Sequence, residues 1–314
     1  MRVHTWSAAP PAEWSQALAR FEAQFTYPLG PGRSFRIVHG DDYPRFFRAM
    51  GEAACFVAER ECEVIGALGT ALRRVLMPDG RECAAIYLGD LKVAPAARGG
   101  RALLRLAEVA QQWAAVRAEV AFSVVMDGTA ATPPRYTGRL GIPPFCELDR
   151  VLVLRLPTLA DTGLCGSSRT TDAAEGSACY RRLSRGRHAC LDGAPEERSQ
   201  MAPLWLVTDD GRACGRLEDT RRAKRLIGDD GAELNSAHLS CFTFSDTQAG
   251  AELLQAARSH TARLGFPALF TAVAPADAAP LCAGLEEKDV VTAPATVYGA
   301  GLRPGPWNIN TAEI

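Results

Sequence analysis

Residues 86–104 read Ile-Tyr-Leu-Gly-Asp-Leu-Lys-Val-Ala-Pro-Ala-Ala-Arg-Gly-Gly-Arg-Ala-Leu-Leu, and no other stretch constrains the fold as much. An apolar strand ends at Val93. Pro95 follows, then a compact Arg98-Gly99-Gly100-Arg101-Ala102 turn, then a helix that opens at about Leu103. Strand, glycine turn and helix N-terminus in that order make a site for a phosphate-bearing ligand. The first turn of a helix has unpaired N–H groups, and its dipole favours negative charge. Glycine lets the backbone approach an anion with no Cβ in the way. Arg98 and Arg101 add positive charge at the same place.

The rest of the chain sets limits. Its 314 residues suggest two domains. Hydrophobic residues make up 47% and charged residues 23%, as in ordinary globular proteins. A net charge of −1 argues against general nucleic-acid binding. No apolar run approaches the ~20 residues of a membrane span, and the N-terminus lacks a signal-type apolar core, so the expected compartment is the cytoplasm. The ten cysteines are scattered with no Cys-x-x-Cys pair and read as reduced structural thiols. The five histidines are dispersed, none with a second ligand-type residue at i+3 or i+4 on a convincing helix, so no metal is expected. Oligomeric state is not legible.

Along the chain, the first half reads as an amphipathic stretch (Glu13–Phe25), a Pro/Gly turn (27–32), a strand (Phe35–Val38) and a helix (Asp41–Met50). Two hairpins follow, Ala54–Glu59 with Glu63–Thr70 and Ala71–Met77 with Glu82–Val93, the second closed by Pro78-Asp79-Gly80. The helix from Leu103 carries its apolar residues at helical spacing. Ala121–Met126 is a buried strand, Arg135–Leu140 a short helix and Leu148–Leu156 a closing strand. Residues 157–178 are rich in Gly, Ser, Thr and Asp and read as a linker. The second half repeats the plan from its hairpin onward: Leu204–Asp209 with Ala213–Leu217, His238–Phe244, a helix at Ala249–Leu264, Ala268–Val273, a short helix at Ala276–Leu285 and Val290–Tyr298. In place of the glycine turn it has Thr243-Phe244-Ser245-Asp246-Thr247-Gln248-Ala249-Gly250, with an aspartate where an anion would sit.

The segment Asp90–Leu104 resembles the GNAT superfamily of N-acetyltransferases, in which a strand ending Leu-x-Val leads through a proline to a Gln/Arg-x-x-Gly-x-Gly/Ala turn and a helix. The likeness runs from about Phe35 to Leu156. Gly100 and Ala102 fit the last two marked positions with Ala97 at the Gln/Arg position, or Arg98-Gly99 align with the family's Arg-Gly pair in a shorter turn. The resemblance implies an α/β fold, a mixed α+β arrangement of two tandem GNAT-like domains. Each would be a twisted, mostly antiparallel sheet flanked by helices, over residues 1–156 and 179–314, the second copy degenerate. It implies acetyl-coenzyme A as acyl donor, with Leu91, Lys92 and Val93 along the pantetheine and Arg98, Gly99, Gly100, Arg101 and Ala102 around the phosphates.

Acetyl transfer to an amine needs a proton acceptor, a donor to the oxyanion and an acid for the leaving thiolate. By the same resemblance the acid is Tyr136, although the register is off by one and Thr137 falls at the usual tyrosine position. The base is Asp90, the one carboxylate on Ile86–Val93. Asp90 also fits a salt-bridged structural role with Lys92. The acceptor would be a small-molecule or peptide amine. Two other readings stand beside this one. A tandem-GNAT transferase fed by aminoacyl-tRNA would use the basic cluster Arg221, Arg222, Lys224 and Arg225, and a non-catalytic acyl-coenzyme A sensor would keep the turn without acid or base.

Overall fold

A computed structural model of the chain describes residues 1–28, 32–129, 131–159, 168–285 and 289–314. In chain order the first half contains β1 (Arg2–Trp6), α1 (Ser15–Glu22), β2 (Tyr27–Pro28), β3 (Ser34–Val38), α2 (Arg45–Arg48), β4 (Ala53–Arg60), β5 (Glu63–Leu76), β6 (Glu82–Val93), α3 (Ala102–Ala115), β7 (Val120–Met126), α4 (Pro133–Tyr136) and β8 (Cys146–Pro157). The second contains β9 (Ser168–Thr171), α5 (Ala173–Leu183), β10 (His188–Cys190), α6 (Pro195–Arg198), β11 (Leu204–Thr208), β12 (Ala213–Glu218), β13 (Arg225–Gly228), β14 (Ala237–Phe244), α7 (Thr247–Arg263), β15 (Ala268–Val273), α8 (Pro275–Gly284), β16 (Val291–Ala300) and β17 (Trp307–Asn308).

Both hairpins of the first half form, β4 with β5 and β5 with β6, but their middle strands, expected separately at Glu63–Thr70 and Ala71–Met77, are the single strand β5. The turn closing the second has Met77 N donating to Arg81 O at 2.7 Å and Gly80 at φ 86°. Part of the Pro/Gly turn at 27–32 and part of the 157–178 stretch, with Cys165, lie outside the described residues. Within that stretch Ser168–Thr171 is a strand paired with β11. Asp172 then caps α5, its carboxylate accepting from Glu175 N at 2.8 Å. A short strand next to an Asx cap is rich in Ser, Thr and Asp, the same composition that suggests a loop.

The two halves share one 14-stranded sheet in the order β1-β4-β5-β6-β7-β16-β8-β15-β14-β12-β11-β9, with β10 and β17 off this path. Its middle is a crossed pair. The last long strand of the chain, β16, lies against β7 of the first half, while β8 lies against β15 of the second, and β16 and β8 pair with each other from Val291↔Arg155 to Gly299↔Cys146. Only two pairs on the path are parallel, β6 with β7 and β14 with β15, one in each half. A small second sheet, β13-β3-β2, again joins residues of both halves.

The core is continuous across the first parallel pair. Phe46, Phe47, Tyr87, Phe122, Trp307 and His188 form an unbroken run of ring contacts, with centroids 4.6–6.5 Å apart. Such offset contacts are favourable beyond their area. Phe47 lies so close over β5 that a Cβ at position 69 would sit 2.0 Å from its ring, which is why that position is Gly69.

Candidate active site

The first parallel pair is short. Ala85, Ile86 and Tyr87 of β6 face Val120, Ala121 and Phe122 of β7, and there the pairing stops. β7 continues against β16, and β6 continues against β5. From Leu88 to Val93 the backbone of β6 therefore has no strand partner on its β7 side, and a V-shaped opening results. Within it β6 bulges: Asp90 and Leu91 stand opposite Leu68 alone, and Asp90 has φ 55°. A non-glycine residue in that region is strained and held there by its surroundings.

The glycine turn follows at the rim of the opening. Arg98, Gly99, Gly100 and Arg101 are all exposed, and Gly99 has φ 76°, a conformation that glycine takes without steric cost. Helix α3 has no side-chain cap. Among the described residues, no acceptor meets the amides of Gly99 or of Arg101 to Leu104. Arg101 at the N-cap of α3, Arg105 from α3 and Arg60 from β4 line an open groove of about 440 Å³ beside it. The helix N-terminus expected from the sequence is thus open, positively charged and accessible.

The second half supplies the contrast. Helix α7 begins at the equivalent place, but Asp246 caps it, accepting from Ala249 N at 3.0 Å and pairing with Arg212 at 2.9 Å. The aspartate singled out in the sequence occupies the anion position itself. The β14–β15 pair also ends after two rungs, at His238, and β14 also bulges, with Cys241 at φ 53°. This opening is filled from within. Cys241 N donates to Asn310 Oδ1 at 2.7 Å, and His238 Nδ1 lies 2.9 Å from Thr311 Oγ1.

The sequence matches no family model and no curated protein. Its architecture has solved counterparts. It is similar to Saccharomyces cerevisiae N-myristoyltransferase with bound myristoyl-CoA, at 10% identity and TM-score 0.62 over 99% of this chain and 87% of that one. It is also similar to a GCN5-related N-acetyltransferase from Anabaena variabilis, at 13% identity and TM-score 0.53 over 95% and 72%. This chain carries a tandem GNAT fold.

In the first GNAT half, Asp90 is not a free carboxylate. Its Oδ2 accepts from the Tyr43 hydroxyl and its Oδ1 lies 2.7 Å from Lys92 Nζ, with the two side chains 8% and 3% exposed. Although burial opposes ionisation, Lys92 and the Tyr43 hydrogen bond together hold the acid below its ordinary range. Lys92 lies over the rings of Phe25 and Tyr27, and its pairing with Asp90 keeps it charged against the cost of burial. Leu91 and Val93 are half-buried on the same strand, and Ala102 is buried at the start of α3. Tyr136 ends α4, where burial and the neighbouring Tyr298 push its hydroxyl up to about 12. No hydrogen bond or ring contact among the described residues joins Tyr136 to Asp90.

Several side chains here were not assigned to this site from the sequence. Glu22 and His39 meet at 2.5 Å and lie beside Asp90, with one ligating atom from each of the three within 4.8 Å of the others. Lys224 sits 4.4 Å from the Phe46 ring centre and donates to the Ile314 backbone oxygen, and burial pushes its amine down to about 7. Of the basic cluster 221–225, Lys224 thus belongs to the interior, and Arg221 pairs with Glu233. Tyr87 donates to Glu313 O at 2.8 Å at the apex of the opening. None of these contacts has a local spacing. The pairs are 17, 90 and 226 residues apart, and only the fold brings them together.

Proposed function

We propose that the first half binds an acyl-coenzyme A across the β6–β7 opening and transfers its acyl group to a primary amine. One observation carries this reading. A widening gap between parallel strands ends at a helix N-terminus whose amides have no acceptor, flanked by Arg98 and Arg101. A diphosphate satisfies those amides. The unpaired edge of Leu91, Lys92 and Val93 suits the amide-bearing pantetheine arm as a strand partner. The neighbours bearing this fold include an enzyme with bound myristoyl-CoA and an N-acetyltransferase, which supports an acyl-coenzyme A donor.

For acyl length the reading is acetyl. The cavity at the apex, lined by Tyr87, Phe122 and Val124 among others, holds only about 10 Å³, close to the space of one water. A long chain would have to displace the aromatic run.

In the transfer, the acceptor nitrogen bonds to the thioester carbonyl carbon, the C–S bond breaks and the thiolate leaves as coenzyme A. Tyr136, kept protonated by burial, is the proposed acid for that sulfur. Asp90 keeps Lys92 and Tyr43 in place at the bulge. The acceptor is a small-molecule or peptide amine.

Calorimetry of the full chain with acetyl-CoA and with myristoyl-CoA tests the donor. Release of coenzyme A thiol with a panel of amines tests the transfer. Binding without thiol release would favour a sensor, and no binding at millimolar ligand would overturn the reading.

A further inference from the structure

Building on that reading, we infer that His39, oriented by Glu22, is the general base that takes the proton from the acceptor amine. Glu22 grips His39 twice: Oε1 lies 2.5 Å from Nδ1, and Oε2 accepts from the His39 backbone N–H at 3.3 Å. Both side chains are buried, at 1% and 4% exposure. A carboxylate on Nδ1 places the proton there and leaves the lone pair on Nε2. That Nε2 is buried and has no partner among the described residues. Leaving a buried ring nitrogen unpaired is unfavourable, and its persistence asks for a reason.

Its position supplies one. The His39 ring packs against Tyr43 at 4.6 Å and Phe46 at 5.6 Å. Tyr43 holds Asp90 at the bulge, and Phe46 carries Lys224 on its face. The imidazole therefore stands one side chain away from the Asp90 bulge of β6.

The other ionisable groups around Asp90 are already committed. Asp90 has an oxygen on Tyr43 and an oxygen on Lys92. Tyr27, Tyr43 and Cys55 are held protonated by burial. Lys92 is paired with Asp90, and Lys224 donates to Ile314. His39 is the group in this set with an unused lone pair.

In the step, the bound ammonium first passes a proton to Nε2, and the freed amine nitrogen then bonds to the thioester carbonyl carbon. Collapse of the tetrahedral adduct breaks the C–S bond, the surplus N–H proton goes to the leaving thiolate by way of Tyr136, and the imidazolium returns the first proton to solvent. Glu22 stabilises the imidazolium without taking the proton.

The test compares two kinds of acceptor with the full chain and acetyl-CoA, following thiol release. Primary alkylamines are ammonium ions at pH 7 and need a base, whereas hydroxylamine is neutral there and needs little help. His39→Gln is expected to lower kcat with the best alkylamine by ~10²-fold, and Glu22→Gln by roughly 10-fold, while hydroxylamine turnover stays within about 3-fold of wild type. Acetyl-CoA affinity by calorimetry should be unchanged in both. Alkylamine turnover at the wild-type rate, or an equal loss with both acceptors, overturns the assignment, the second outcome meaning a structural role. Where His39→Gln fails to fold, Glu22→Gln carries the same comparison. A wild-type chain that neither binds acetyl-CoA nor releases thiol with hydroxylamine overturns the acyltransferase reading instead.

Discussion

Asp90 and Cys241 occupy the same point of the two halves. Each lies three residues beyond the last rung of a parallel pair, at Tyr87 and His238, and each sits in a bulge at positive φ, 55° and 53°. What meets them differs. Asp90 faces a cluster of charged side chains in an opening with an uncapped helix behind it. The amide of Cys241 is closed off by Asn310, and the helix behind it is capped by Asp246. One backbone device is thus kept open in one half and plugged in the other.

The plug gives the first expectation. Asn310→Ala leaves the buried Cys241 amide without an acceptor, so unfolding free energy should fall by ~1–3 kcal/mol in a denaturant titration. Acetyl-CoA affinity should not change, because the ligand belongs in the other opening.

Replacing both turn arginines tests the donor site. Arg98→Gln with Arg101→Gln removes two charges from an exposed turn, so thermal stability should be near wild type. The dissociation constant for acetyl-CoA should rise by roughly 10-fold or more, as for the loss of charge-assisted hydrogen bonds. Its salt dependence should flatten.

Asp90→Asn strands the buried Lys92 ammonium. Removing one partner of such a pair destabilises by ~3–5 kcal/mol. The sign in pH follows from the direction of the shift. The folded state holds Asp90 below the unfolded value of ~3.9, so its contribution is present above that pH and is lost as pH falls through the lower folded value. Acid titration of wild type and variant should converge as pH falls through that lower folded value. Parallel curves would deny Asp90 its charge.

His238 gives a second pH signature. Burial, reinforced by nearby Lys224, pushes its imidazole down to about 3 from an ordinary 6.5. Between those values the unfolded chain binds a proton that the folded chain refuses. Stability should therefore decline as pH falls from 6.5 toward 3. His238→Gln cannot take up that proton and should show a shallower decline by circular dichroism.

The local elements of the glycine turn were legible because each of its signals is local. An apolar run, a proline, paired glycines and a periodic helix lie within 19 residues, and the order alone dictates an exposed helix N-terminus. The repeat was legible for the same reason, since hairpin, strand, helix and strand recur in order. The Asp246 cap was visible as a residue type in the wrong place for an anion. Glu22 and His39 were not visible, and Lys224 was read only as a member of a basic cluster. Spacing rules for ligand-type residues look three or four positions away, and His39 finds Glu22 17 residues back and Asp90 51 residues ahead.

The sequence by itself determined that strands, turns and helices of a particular kind form in a particular order, because hydrophobic period, capping and glycine conformations act over a few residues. The tertiary structure decided the rest. It set β16 beside β7 and β8 beside β15, brought Asn310 to the second opening, and gathered a buried cluster of charged and polar side chains at the first. Those outcomes depend on which distant surfaces bury each other, and a charge or a lone pair acquires its chemistry only from neighbours that burial supplies.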